Sequence, residues 1–126
     1  EIASCLVGSE MCIRDRIKNY NLAQDQYNLL LKKLSRYNKD NYIYKSVFIR
    51  AGFSKEFIDL LFNDLLEHDY VEENYTIYSP FTFEKQMFVT NKQEEIPETY
   101  ECETTDNEFD TTNQVRIIYK VKKEFL

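Results

Sequence analysis

The chain contains no tryptophan, only two glycines and two prolines, and a single histidine in 126 residues. So little glycine and proline leaves few breaks, and the expectation is long regular elements joined by few special turns. A phosphate-cradling loop is excluded, because such loops are rich in glycine and here the glycines stand alone. No apolar run approaches the ~20 residues that a bilayer-crossing helix needs. The N-terminus lacks a basic region ahead of an apolar core, so no secretory signal is read there. These absences lead to the expectation of a soluble, cytoplasmic chain.

Hydrophobic residues make up 43% of the chain, with ten tyrosines and nine phenylalanines among them. One domain, or a domain with an appendage, is the prior at this length. A chain of this size buries roughly two-thirds of its unfolded surface, so a real core is expected. The net charge of -6 is distributed unevenly. Residues 91–113 hold Glu94, Glu95, Glu98, Glu101, Glu103, Asp106, Glu108 and Asp110 against Lys92 alone. That balance favours basic partners and disfavours anionic membranes and non-specific DNA binding.

The N-terminal stretch from Ser4 to Arg16 resembles, as a literal string, a translated sequencing-adapter segment. Residues 1–16 are therefore expected to be non-native, with the natural chain beginning upstream or near Ile17 as part of a longer bacterial protein. The resemblance would make Cys5, Cys12 and Gly8 spurious. Cys102 is then the one cysteine left, and one cysteine forms no intramolecular disulfide.

From Asn21 the pattern is helical. Ala23, Tyr27, Leu30, Leu31, Leu34 and Tyr37 recur at three- and four-residue steps. Asn21 with Gln24 has the form of a capping box. Tyr44 to Ala51 reads as a short helix stopped by Gly52, the residue type that most easily takes a positive φ past a helix end. Ser54 is placed to cap the next helix. In that helix Phe57, Ile58, Leu61, Phe62, Leu65 and Leu66 form a wide apolar face. Tyr70-Val71 and Tyr75 to Tyr78, about Glu72-Glu73-Asn74, read as a small hairpin. The Ala51-Gly52-Phe53-Ser54 turn, the Leu65 to Val71 helix end and this hairpin together resemble the winged-helix family over about residues 20–79. The resemblance implies an α+β fold: a three-helix winged-helix-like core with a small β hairpin, spanning 17–79, then a β-rich C-terminal tail over 80–126 with its acidic loop at 91–113. Phe83 to Thr90 is expected as a further strand. Val115 to Val121 alternates, with Val115, Ile117, Tyr119 and Val121 on one face and basic residues elsewhere, and is expected to pair with it.

Tyr100 to Phe109, around Cys102, is similar to a degenerate zinc-ribbon knuckle. Thr105 stands where the second thiolate would be, Asp106 where a glycine would be, and Ser79-Pro80 where an upstream Cys-Pro would lie. A structural zinc needs four closely placed nitrogen or sulfur ligands, which one cysteine and His68 do not supply. No metal and no cofactor are expected. Nucleophilic catalysis needs a base beside Cys102 or a serine, and no spacing recommends His68, which falls at a helix end. No enzymatic activity is expected.

In a winged helix the third helix faces DNA. Here the corresponding outward face carries Glu56, Asp59, Leu60, Asn63, Asp64 and Glu67. DNA binding draws most of its affinity from cations on phosphates, so this face has the wrong sign. An apolar centre with a charged rim is how protein interfaces are built. The leading expectation is a non-catalytic interaction or adaptor module that meets a protein partner, or itself, through these six residues. The competing expectation, implied by the family resemblance, is a transcriptional regulator contacting nucleic acid through Lys32, Arg36, Lys39 and Arg50.

Overall fold

The computed structural model describes residues 13–125, and of Arg14 the backbone alone. Residues 4–12 of the adapter-like stretch, with Cys5, Cys12 and Gly8, lie outside the described residues. The chain divides into two compact units: unit 1 is formed by residues up to Glu72 with those from Lys120 onward, and unit 2 is Glu73–Tyr119.

The described residues of unit 1 hold four helices: α1 (Ile13–Lys18), α2 (Gln24–Leu34), α3 (Lys45–Arg50) and α4 (Lys55–Glu67), with β1 (Tyr42–Ile43) between α2 and α3. Helix α4 starts where Ser54 Oγ accepts a hydrogen bond from the Phe57 amide at 3.1 Å. Of the six-residue apolar face that the spacing predicts, it buries Ile58, Leu61, Phe62 and Leu65 and leaves Phe57 and Leu66 half-buried. Phe48 of α3 meets Phe62 edge-on, with ring centroids 6.0 Å apart. Gly52 takes φ +111 directly after α3, a conformation that a side chain would strain. Helices α1 and α2 pack together and bury Ile13, Ile17, Leu30 and Leu34. At the other end of the chain, Phe125 stacks at 5.9 Å on Tyr70, and Lys123 Nζ lies 4.6 Å from the same ring.

Strand β2 (Val71–Tyr78) leads into unit 2, followed by β3 (Lys85–Thr90), a 3-10 turn at Gln93–Glu95, β4 (Thr99–Glu101), β5 (Glu108–Asp110) and β6 (Val115–Val121). One four-stranded sheet has the order β1-β6-β2-β3, and β4 pairs with β5 in a separate antiparallel hairpin. Strands β2 and β3 are antiparallel, with a register shift between Thr76 and Tyr78. The Thr76 hydroxyl bridges the irregularity by donating to Phe88 O at 2.8 Å. Inside unit 2, Ile77, Cys102 and Phe109 form a buried cluster, with Phe88 and Tyr100 packed against it.

The three-helix winged-helix-like core with a small β hairpin is overturned. The described residues hold four helices, and Val71–Tyr78 is one unbroken strand in a four-stranded sheet rather than a hairpin. Glu72-Glu73-Asn74 lies inside the continuous strand Val71–Tyr78, so the chain does not reverse there. Asn74 and Thr76 are buried, and the apparent polar turn is the interior of a strand. The reversal that makes a hairpin comes later, between Tyr78 and Lys85. Strand β6 pairs with β1 and β2, not with the Phe83 to Thr90 segment. Its expected face also breaks: Ile117 is exposed, whereas the adjacent Ile118 and Tyr119 are both buried. The Asn21 and Gln24 capping box does not form either. Asn21 takes φ 57, α2 begins at Gln24, and the Gln24 amide donates to Asn28 instead.

Apart from glycine, six described residues have positive φ: Asn21, Asp40, Asp69, Phe83, Asp106 and Asn113. Five are asparagine or aspartate, whose short polar side chains tolerate the left-handed region. Phe83 is the exception, and for a bulky residue this conformation is a true outlier.

Two stability changes follow. Ile13→Ala, which empties a fully buried site in α1, should cost about 2–5 kcal/mol in urea unfolding; a change within experimental error would mean that α1 is not part of the core. Phe83→Asn, at φ 61, should raise stability by about 1 kcal/mol. A lowered melting temperature would show that the phenylalanine ring contributes more than its backbone strain costs.

Candidate protein-interaction site

A helix that packs one face against a core presents the residues spaced three and four apart on its other face to water. On α4 these are Glu56, Leu60, Asn63 and Glu67, and all four are exposed, Leu60 at 57%. They form one stripe along the helix.

Asp59 and Asp64 flank the stripe and are half-buried by internal partners. Lys45 Nζ and Lys55 Nζ lie 3.0 and 3.1 Å from the two Asp59 oxygens. Hydrogen bonds from these two lysines hold the Asp59 carboxyl below its ordinary range. Arg16 Nη2 lies 2.9 Å from Asp64 Oδ1, and the Tyr20 hydroxyl donates to Asp64 Oδ2. The Tyr20 ring is in turn edge-on to Phe57 at 5.1 Å. The six residues singled out from the sequence thus share one helix but play two parts: four form an open stripe, and two tie α4 to neighbouring elements of unit 1. The Lys55 and Asp59 pair, four residues apart on a helix, was readable from spacing alone. The Arg16 and Tyr20 contacts span more than forty positions and left no sequence signal.

The four residues of the nucleic-acid alternative are all exposed. Lys32 lies in α2, Arg36 just beyond it, Lys39 in the loop before β1, and Arg50 at the last position of α3. Lys45, another cation of that region, is committed to Asp59.

In unit 2, Cys102 is completely buried. Ser79 Oγ lies 3.2 Å from its sulfur, and Thr105 also hydrogen-bonds to it. Hydroxyls therefore stand at two of the positions where the zinc-ribbon resemblance would put ligands. Among the described residues no group of three or more His, Cys, Asp or Glu is placed to hold a metal ion. No described helix is long and apolar enough to cross a membrane. His68 closes α4 at its C-cap. Among the described residues the most exposed large apolar side chains are Phe83 and Met87, at 81% and 83%, and no periodicity in that segment marks them as outward.

No protein-family model matches this chain, and neither a curated protein nor a solved structure matches it significantly.

The hydrogen bonds of Ser79 and Thr105 lower the Cys102 thiol from its ordinary value of 9.0 to about 7, against the opposing effect of burial. A thiol held lower when folded contributes stability that is present above its unfolded pKa and lost as pH falls through the folded one. Wild-type stability should therefore rise between pH 7 and 9 relative to Cys102→Ala, measured by urea midpoints at both values. A constant difference between the two proteins would show that burial wins and the thiol stays protonated.

Proposed function

We propose that this chain is a non-catalytic protein-interaction module whose contact face is the open stripe of α4. The observation that carries the reading is Leu60, 57% exposed at the middle of that stripe, with exposed Glu56, Asn63 and Glu67 around it. A single exposed leucine is ordinary. Here the flanking carboxylates are tied down by Lys45, Lys55, Arg16 and Tyr20, which supports a rigid acidic face rather than a loose charged one. Such a face favours a partner with basic groups around an apolar contact, either another protein or the basic side of a second copy of the chain. A catalytic reading finds less support, since the groups that hydrogen-bond Cys102 are hydroxyls and backbone rather than a base. The lone described cysteine, free and buried, fits a reducing compartment such as the cytoplasm.

The competing reading, a DNA-binding regulator, has the exposure of Lys32, Arg36, Lys39 and Arg50 in its favour. Against it stands the acidic stripe of α4, which repels phosphate.

Leu60→Asp separates these readings, because the exposed site should tolerate the change without loss of thermal stability. Partner capture, or self-association in sedimentation velocity, should weaken roughly tenfold or more in the variant. Duplex DNA followed by fluorescence anisotropy should show no binding even at low salt. Recovery of the same complexes with Leu60→Asp, or DNA binding that falls steeply with salt, would sink the proposal.

A further inference from the structure

Unit 2 exposes three large apolar side chains around one connection: Phe81 at 47%, Phe83 at 81% and Met87 at 83%. They do not sit on a slack loop. Phe83 N donates to Ser79 O at 2.9 Å, and Ser79 N to Glu84 O at 3.0 Å. Ser79 Oγ accepts from Phe81 N and Thr82 N at 3.0 and 3.3 Å. Phe81 is braced edge-on against Phe109 at 6.0 Å. The turn is closed by these bonds while it holds Phe83 at φ 61 with its ring in water.

Strand β3 ends the sheet order, and an open edge invites an added strand. Its middle is already occupied. Met87 N donates to Glu103 Oε2 at 2.8 Å, and Glu103 N donates to Gln86 Oε1 at 2.9 Å. The Tyr100 hydroxyl, pushed up to about 12 by burial and by Glu103, donates to the same carboxylate oxygen at 2.6 Å. Backbone pairing is blocked at Met87, so contact there must come from side chains.

The charge around these side chains is predominantly negative, with Lys85 the one cation beside them in sequence. Glu84 follows Phe83, and Glu103 lies against Met87. Lys85 donates its Nζ to Gln86 O. Glu73–Tyr119 as a whole carries ten acidic residues against three basic ones. An anionic membrane is repelled by such a surface, and a second copy would bring the same charge to it.

We propose that the β2–β3 connection docks a basic segment of a partner protein, with the partner's apolar side chains covering Phe83 and Met87 and its cations meeting Glu84 and Glu103. This site is independent of the α4 stripe.

The test uses the full chain and three labelled peptides, alternating arginine with leucine, arginine with serine, and aspartate with leucine, read by fluorescence anisotropy. The arginine–leucine peptide should bind saturably and the other two should not. The double variant Phe83→Ser, Met87→Ser should weaken that binding roughly tenfold or more with a melting temperature no lower than that of the wild type. Leu60→Asp should leave it unchanged, which separates this site from the one on α4. Equal binding of the arginine–serine peptide, unchanged binding by the double variant, or no binding of any peptide would overturn the proposal. So would self-association that the double variant abolishes, since the occupant would then be a second copy.

Discussion

Ile58, Leu61, Phe62 and Leu65 leave water together on one face of α4, and full burial of such side chains is worth roughly 1.5–3 kcal/mol each. Helices α1 and α3 of unit 1 are anchored to that helix. Helix α3 packs on it through Phe48, and Lys45 at the start of α3 reaches its Asp59. Arg16 and Tyr20, in and just after α1, reach its Asp64. The exposed ion pairs contribute little stability of their own. Their effect is positional: three sides of α4 are committed, and only the stripe from Glu56 to Glu67 is left to water.

The second constraint is how a chain with so little glycine reverses direction. Asparagine and aspartate do most of the work, at Asn21, Asp40, Asp69, Asp106 and Asn113. Each sits in a connection between elements, as does Asp106, whose amide donates to Cys102 O between β4 and β5. Phe83 departs from this pattern, and strained backbone that persists in a bonded framework is commonly tied to function.

Local rules read local features well. Ser54 caps α4, Gly52 follows α3, and the apolar period of α4 is the buried face. Most of the differences are non-local, the Asn21 capping box being the local exception. Glu72-Glu73-Asn74 looks like a turn by composition, but the pairing of β2 with distant β3 and β6 holds it extended. The Asn21 capping box was lost to a left-handed Asn21, which no residue-type preference fixes. In β6, alternation predicted Ile117 inside, yet Ile118 and Tyr119 are buried together, where a strand leaves unit 2 for unit 1 at Tyr119 and Lys120. For the candidate site, the outward stripe of α4 was legible from helical spacing. The engagement of Asp59 and Asp64 was legible only in the case of Lys55, because the other partners are far along the chain.

The distribution of charge has a thermodynamic side. Ten acids and three bases lie in unit 2, whereas the remaining residues hold twelve and thirteen. Like charges confined in a compact body repel one another and oppose its folding. Mobile ions screen that repulsion over about 8 Å at physiological ionic strength, and over about 30 Å in dilute buffer. Added salt thus relieves an internal stress in unit 2 that is nearly absent from unit 1. The two halves of one chain are set to answer the same change of medium differently, the acidic half gaining cohesion as ionic strength rises.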